Sequence, residues 1–217
     1  MKINLKPGTL VMDLYFSPLA CSLASRIVVY EANAEDRVTL RPVNPKTKRT
    51  ADGADYLAIN PLGQVPVLRT DDGELLTENA AILPYIADHL PGPALAPTDG
   101  FPRYELARWL GFVGTELHKL VFTPLLSPKS NDGAKAFALE AAPSRLAALD
   151  AHLTGRQYLL GQFSVADAYL TAVLNWAGFV RLDLKPYPAV AAYYARMAAR
   201  PAVARAMQEE LALFQAA

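Results

Sequence analysis

Across the proline-containing stretch from Pro91 to Pro97 the pattern of apolar residues changes character, and no single regular architecture fits both sides. Before it, short apolar runs alternate with helical ones. Leu10 to Phe16 is rich in apolar and aromatic residues and stops at Ser17-Pro18, as a buried strand does. From Cys21 to Glu31, Leu23, Ile27 and Tyr30 share one face at helical spacing. Arg37 to Val43 predicts a second strand, and Ala54 to Ile59 a short helix ending before Asn60-Pro61. Val65 to Arg69 and Leu75 to Thr77 flank the turn Thr70-Asp71-Asp72-Gly73 and predict a hairpin, after which Glu78-Asn79 opens a helix to about Leu90. Beyond Phe101 the periodicity is helical throughout, with helices expected over Ala134 to Leu153, Val165 to Val180, Pro188 to Ala199 and Pro201 to Phe214. The chain therefore divides into a βαβαββα domain over residues 1–91, a linker over 92–100 and an all-α helical bundle over 101–217. Its 217 residues suffice for two cores.

Charge narrows the classes of partner. Lys+Arg and Asp+Glu both total 21, so no overall field attracts a phosphate backbone or an anionic bilayer, and neither nucleic acid nor membrane is expected. The basic run Lys46, Lys48 and Arg49 is either a solvated loop or a holder of a small anion. Ala168 to Val180, free of charge, is shorter than the ~20 apolar residues that span a bilayer. Lys2 and Lys6 precede an apolar stretch that ends at Cys21, but Asp13 and Pro18 break it, so an export signal is not expected. A lone cysteine excludes an intrachain disulfide and suits a reducing cytoplasm. Three scattered histidines and that cysteine form no metal-ligand spacing.

Three positions carry chemical or structural expectations of their own. Cys21 is either inert packing or a working thiol. At a helix start it would meet unpaired N–H groups and the positive end of the helix dipole, which predicts a lowered pKa. At ~100° per residue His118 shares a face with Gly111, Gly114, Thr115 and Phe122. It is either a satisfied interface histidine or, facing a groove among small side chains, a hydrogen-bond donor or base. Ser164-Val165-Ala166-Asp167 reads as a capping box with aspartate in the glutamate position, making Asp167 structural at roughly 0.5 to 2 kcal/mol. His89 and His152 have no such context and read as structural.

Five segments, in this order, resemble the bacterial beta class of glutathione S-transferases: Ala20-Cys21-Ser22-Leu23-Ala24-Ser25, Asn60-Pro61-Leu62-Gly63-Gln64-Val65-Pro66, Leu76-Thr77-Glu78, Thr115-Glu116-Leu117-His118-Lys119, and Gly161 to Tyr169. The likeness runs from about Leu14 to Arg200. It implies a thioredoxin-like first domain, a helical second one, and a cytoplasmic homodimeric enzyme that conjugates reduced glutathione to hydrophobic electrophiles in detoxification, without metal. By the same resemblance Cys21 contacts the glutathione sulfur and His118 assists. Val65, before a cis Pro66, pairs with the cysteinyl part, Glu78 and Asn79 take the γ-glutamyl end, and Lys48 approaches the glycine carboxylate. The acceptor pocket implied is Phe16, Gly111, Thr115, Phe122 and Trp176. Phe16 stands where the family commonly has tyrosine, and Gly111 where it has asparagine, which removes two polar partners and predicts a wider pocket. Two alternatives share the fold: a thiol-disulfide reductase using Cys21, and a low-turnover module that binds glutathione or a hydrophobic ligand.

Overall fold

The computed structural model of the chain describes residues 11–216; the strand start expected at Leu10 and the Lys2 and Lys6 stretch lie outside them. Strand β1 (Met12–Phe16) runs parallel to β2 (Val38–Asn44) through the crossover helix α1 (Leu23–Glu31). β3 (Arg49–Thr50) extends the edge, and β4 (Val67–Arg69) with β5 (Leu75–Thr77) completes the other side as an antiparallel hairpin. The sheet order is β3-β2-β1-β4-β5. Helix α2 (Asn79–His89) closes this unit. The predicted helix over Ala54 to Ile59 is a single 3₁₀ turn, Tyr56–Ala58, capped by the Asp55 carboxylate, which accepts the Leu57 N–H at 3.1 Å.

The second unit is helical. It comprises α3 (Gly100–Phe112), α4 (Thr123–Leu126), α5 (Asp132–Leu153), α6 (Val165–Leu174), α7 (Ala177–Val180), α8 (Pro188–Ala198) and α9 (Pro201–Gln215). Between α3 and α4 the chain is wound as a π-helix over Val113–Phe122. The single helix expected from Val165 to Val180 breaks at Asn175 and Trp176. None of the helices of the described residues is long and apolar enough to cross a membrane.

Alternation along β1 explains how the sheet is covered. Met12 and Leu14 face the main core, whereas Tyr15 joins Val43, Tyr56 and Val67 in a small cluster on the opposite face. The main core runs without interruption through Ile27 and Val28 of α1 into Leu170 and Val173 of α6. Helix α1 is thus buried against both units. Polar contacts pin the same seam: Arg200, at the N-cap of α9, holds Glu31 bidentately at 2.7 Å per bond, and the buried Arg26 pairs with Glu209 and donates to the Tyr30 hydroxyl at 2.9 and 3.0 Å.

Candidate active site

The loop between β1 and α1 brings Cys21 to the seam. Both backbone groups of Leu19 are held by the helical unit: its N–H donates to Glu210 Oε2 at 2.7 Å, and its carbonyl accepts Trp176 Nε1–H at 2.8 Å. Leu19 has φ of 58°, a left-handed backbone that a non-glycine residue keeps only where its surroundings impose it. Cys21 then follows, half-buried and free.

Its sulfur differs from the sequence expectation. Cys21 Sγ–H donates to the Val65 carbonyl at 3.2 Å, and the thiol is pushed up to about 12 instead of down. Burial is the largest cause; the positive charge of Lys119 and the N–H groups of Cys21 and Ser22 pull the other way and lose, while Glu78 adds to the rise. Helix α1 begins two residues later, and the turn has already engaged much of the expected N–H array. Leu23 N–H bonds Ala20 O at 3.0 Å, and Ala24 N–H bonds Cys21 O at 3.2 Å.

Across the cleft, the elements before and after Val65 supply polar groups. The Val65–Pro66 bond is cis. Lys48 reaches back along the wall and donates from Nζ to Gly63 O at 2.8 Å. Gly63 has φ of 61°, and a Cβ there would lie 3.0 to 3.1 Å from Leu57 and Lys48 side-chain carbons, so glycine is needed for both backbone and space. Glu78, exposed and with φ of 68°, occupies the N-cap of α2, and the buried Asn79 donates from Nδ2 to the Cys21 carbonyl at 3.1 Å.

His118 lines the same cleft from the π-helix. Its Nδ1 lies 2.8 Å from the Tyr169 hydroxyl, and its ring packs edge-on against Trp176 with centroids 4.9 Å apart. Burial, then the charge of Lys119, lowers its pKa to about 4, so the ring is neutral at physiological pH.

The structure brings Cys21, Lys48, Val65, His118 and Trp176 around one cleft of about 520 Å³. Four of the five expected acceptor residues lie elsewhere. Phe16 is buried beneath the Arg26 guanidinium, and Phe122 is fully buried behind Trp176. Thr115 is exposed and donates to the Gly111 carbonyl at 3.0 Å, and neither residue lines the cleft. For Gly111, Thr115 and Phe122, the positions counted along the helix from His118, the physical reason is the winding. A π-helix bonds i to i+5, as Thr123 N–H does to His118 O, so a face counted at 100° per residue drifts away from the true one. The cleft wall is His118, Lys119, Thr123 and Leu126. Sequence reasoning also missed Leu19, Phe179 and Phe214, which reach the cleft only through tertiary packing; Phe179 and Phe214 are both about half exposed, with ring centroids 6.4 Å apart.

Both units resemble known domains. Residues 20–89 match the glutathione S-transferase N-terminal domain, and residues 116–201 match its C-terminal domain. Over 201 residues the chain is 42% identical to glutathione S-transferase GstA of Escherichia coli O157:H7, covering 92% of this chain and 98% of that protein. The chain belongs to the glutathione S-transferase family. Its structure matches that of a sphingomonad glutathione S-transferase complexed with glutathione (TM-score 0.85, 46% identity, 91% of this chain and 98% of that one). The bacterial beta class glutathione S-transferase of Sphingomonas chungbukensis matches equally well (TM-score 0.85, 44% identity, with the same coverage).

The clamp on Leu19 gives this transferase fold a pH-dependent stability. Burial raises the Glu210 carboxyl from 4.5 to about 7, against the Leu19 N–H and Arg26, with Glu209 adding to the rise. The native state therefore holds a proton that the unfolded chain releases, and stability falls as pH rises from 4.5 towards 7. Relative to Glu210→Gln, the natural protein should lose about 3 kcal/mol over that interval and stay level above it. Denaturant melts of both proteins at several pH values check this; a difference that does not change with pH contradicts it.

Proposed function

We propose that this protein conjugates reduced glutathione to hydrophobic electrophiles, with Cys21 beside the glutathione thiol as a neutral hydrogen-bond donor. The observation that carries the reading is the state of Cys21. A thiol that keeps its proton can turn its single S–H from Val65 O to a second sulfur placed in the cleft, stabilising that sulfur as thiolate. The glutathione thiolate attacks the electrophilic carbon, a C–S bond forms, and the leaving group departs with its electron pair. Two unlike walls support this division of labour. Lys48 and Val65 of the cleft lining suit the charged tripeptide, with the exposed Glu78 outside that lining at the N-cap of α2 and Asn79 buried behind Cys21, whereas Pro18, Leu126, Trp176, Phe179 and Phe214 suit an apolar acceptor. The glutathione complex of the sphingomonad relative supports the tripeptide as ligand. The reductase alternative needs a Cys21 thiolate, which burial opposes. Assembly as a homodimer belongs to the reading, and Phe101 and Tyr104, each 73% exposed on α3, offer apolar surface for it.

Titration calorimetry with reduced glutathione and conjugation of a chlorinated nitroaromatic test the proposal together. Binding and saturable conjugation are expected, and Phe214→Ala should raise KM for the aromatic acceptor roughly 3- to 10-fold while KM for glutathione stays put. No affinity of the reduced protein for glutathione would sink the reading.

A further inference from the structure

Tyr169 had no role in the sequence beyond its place after the capping box. In the structure it is 4% exposed on α6, and its hydroxyl comes within 2.8 Å of His118 Nδ1. We infer that Tyr169 is a positioning residue: it holds His118 as the tautomer protonated on Nε2, so that the histidine presents a hydrogen-bond donor, not a base, to the cleft. The inference rests on the conjugation reading for its consequence, though not for its geometry.

A neutral histidine has one N–H and one bare nitrogen, and the partner of one decides the other. The Tyr169 phenol must place its own proton. The neighbouring Asn79 carbonyl Oδ1 has no hydrogen-bond partner, so it does not take that proton. The Asn79 amide acts on Tyr169 in the opposite sense, favouring negative charge on the phenol oxygen as a donor does. His118 Nδ1 is the acceptor left within reach. With Nδ1 protonated instead, the phenol oxygen would accept from Nδ1 and the phenol proton would be left buried without a partner, which costs more than an ordinary hydrogen bond returns. Burial keeps both groups neutral, pushing the phenol up and the imidazole down to about 4. Trp176, itself tied to Leu19 O, packs edge-on against the ring, and His118 lines the cleft with Nε2 as its nitrogen not taken by Tyr169. A fixed N–H at that position stabilises negative charge on a bound sulfur or on a departing group, and no proton changes hands.

Long-range ¹H–¹⁵N spectra of the natural protein at neutral pH read the tautomer directly. The Nε2–H form is expected for His118, and the Nδ1–H form would overturn the inference whatever the enzyme's activity. Tyr169→Phe should give a mixture of tautomers and lower kcat for conjugation roughly 3- to 10-fold, with KM for glutathione within about twofold. An unchanged tautomer with unchanged kcat overturns it. If Tyr169→Phe does not fold, the spectrum of the natural protein still decides. His118→Gln, which keeps an N–H donor but is no base, should exceed His118→Ala in kcat by about tenfold; equal losses contradict the donor role. Absence of conjugation in the natural protein would refute the proposed activity and leave the spectroscopic result standing.

Discussion

Cys21 of the ligand-free protein should react with iodoacetamide at neutral pH about a thousand times more slowly than an ordinary cysteine. The thiolate is the reactive form, and burial moves this thiol from 9.0 to about 12, a difference of about 3 units that lowers the thiolate fraction about a thousand-fold. The rate should then climb about tenfold per pH unit through the alkaline range, with no plateau near 9. Lys119→Ala should slow it further, because the Lys119 ammonium is the largest influence favouring the thiolate. Alkylation of the single cysteine, followed by mass spectrometry, measures all of this. A rate like that of free cysteine would mean that the N–H groups of Cys21 and Ser22 outweigh burial, returning the site to the redox reading. The point matters for mechanism: a protonated Cys21 is a donor to another sulfur, while an ionised one is itself a nucleophile.

The second large effect concerns stability. Asp167 is fully buried, and its carboxylate serves four donors: Leu159 N–H on Oδ1, the Tyr193 hydroxyl on the same oxygen, and the Ser164 N–H and hydroxyl on Oδ2, each at 2.9 Å. A capping box alone would be worth roughly 0.5 to 2 kcal/mol. Alanine here strands buried donors from three separate segments, so Asp167→Ala should cost about 4 kcal/mol. For a chain of this length that is a fall of about 10 °C in Tm. Asp167→Asn, which keeps one acceptor oxygen, should lose less. Calorimetry of both variants checks the ranking, and a loss under about 2 kcal/mol for alanine would show that the cap is all that Asp167 contributes.

Much of the layout was legible because it is local. The period of the apolar residues separates Met12–Phe16 and Val67–Thr77 from the helices around them, and the Ser164-to-Asp167 spacing marks a helix start, since both depend on neighbours a few residues apart. Cys21 and Val65 stand in short motifs legible in the sequence, whereas Lys48 lies outside those motifs and comes from the resemblance alone. The wall beside His118 is not the one a count of ~100° per residue gives, because Val113–Phe122 is wound as a π-helix. Phe179 and Phe214 lie far from Cys21 in sequence and reach its cleft only when α7 and α9 dock.

The amino-acid sequence by itself determined the order of elements, the two-part division and the residues able to do thiol chemistry, because these follow from local periodicity and residue type. Only the tertiary structure decided that Cys21 is set against the Val65 carbonyl, that Tyr169 meets His118 and that Glu210 carries the Leu19 clamp. Burial and hydrogen-bond partners set protonation, and both come from segments that the chain brings together only on folding.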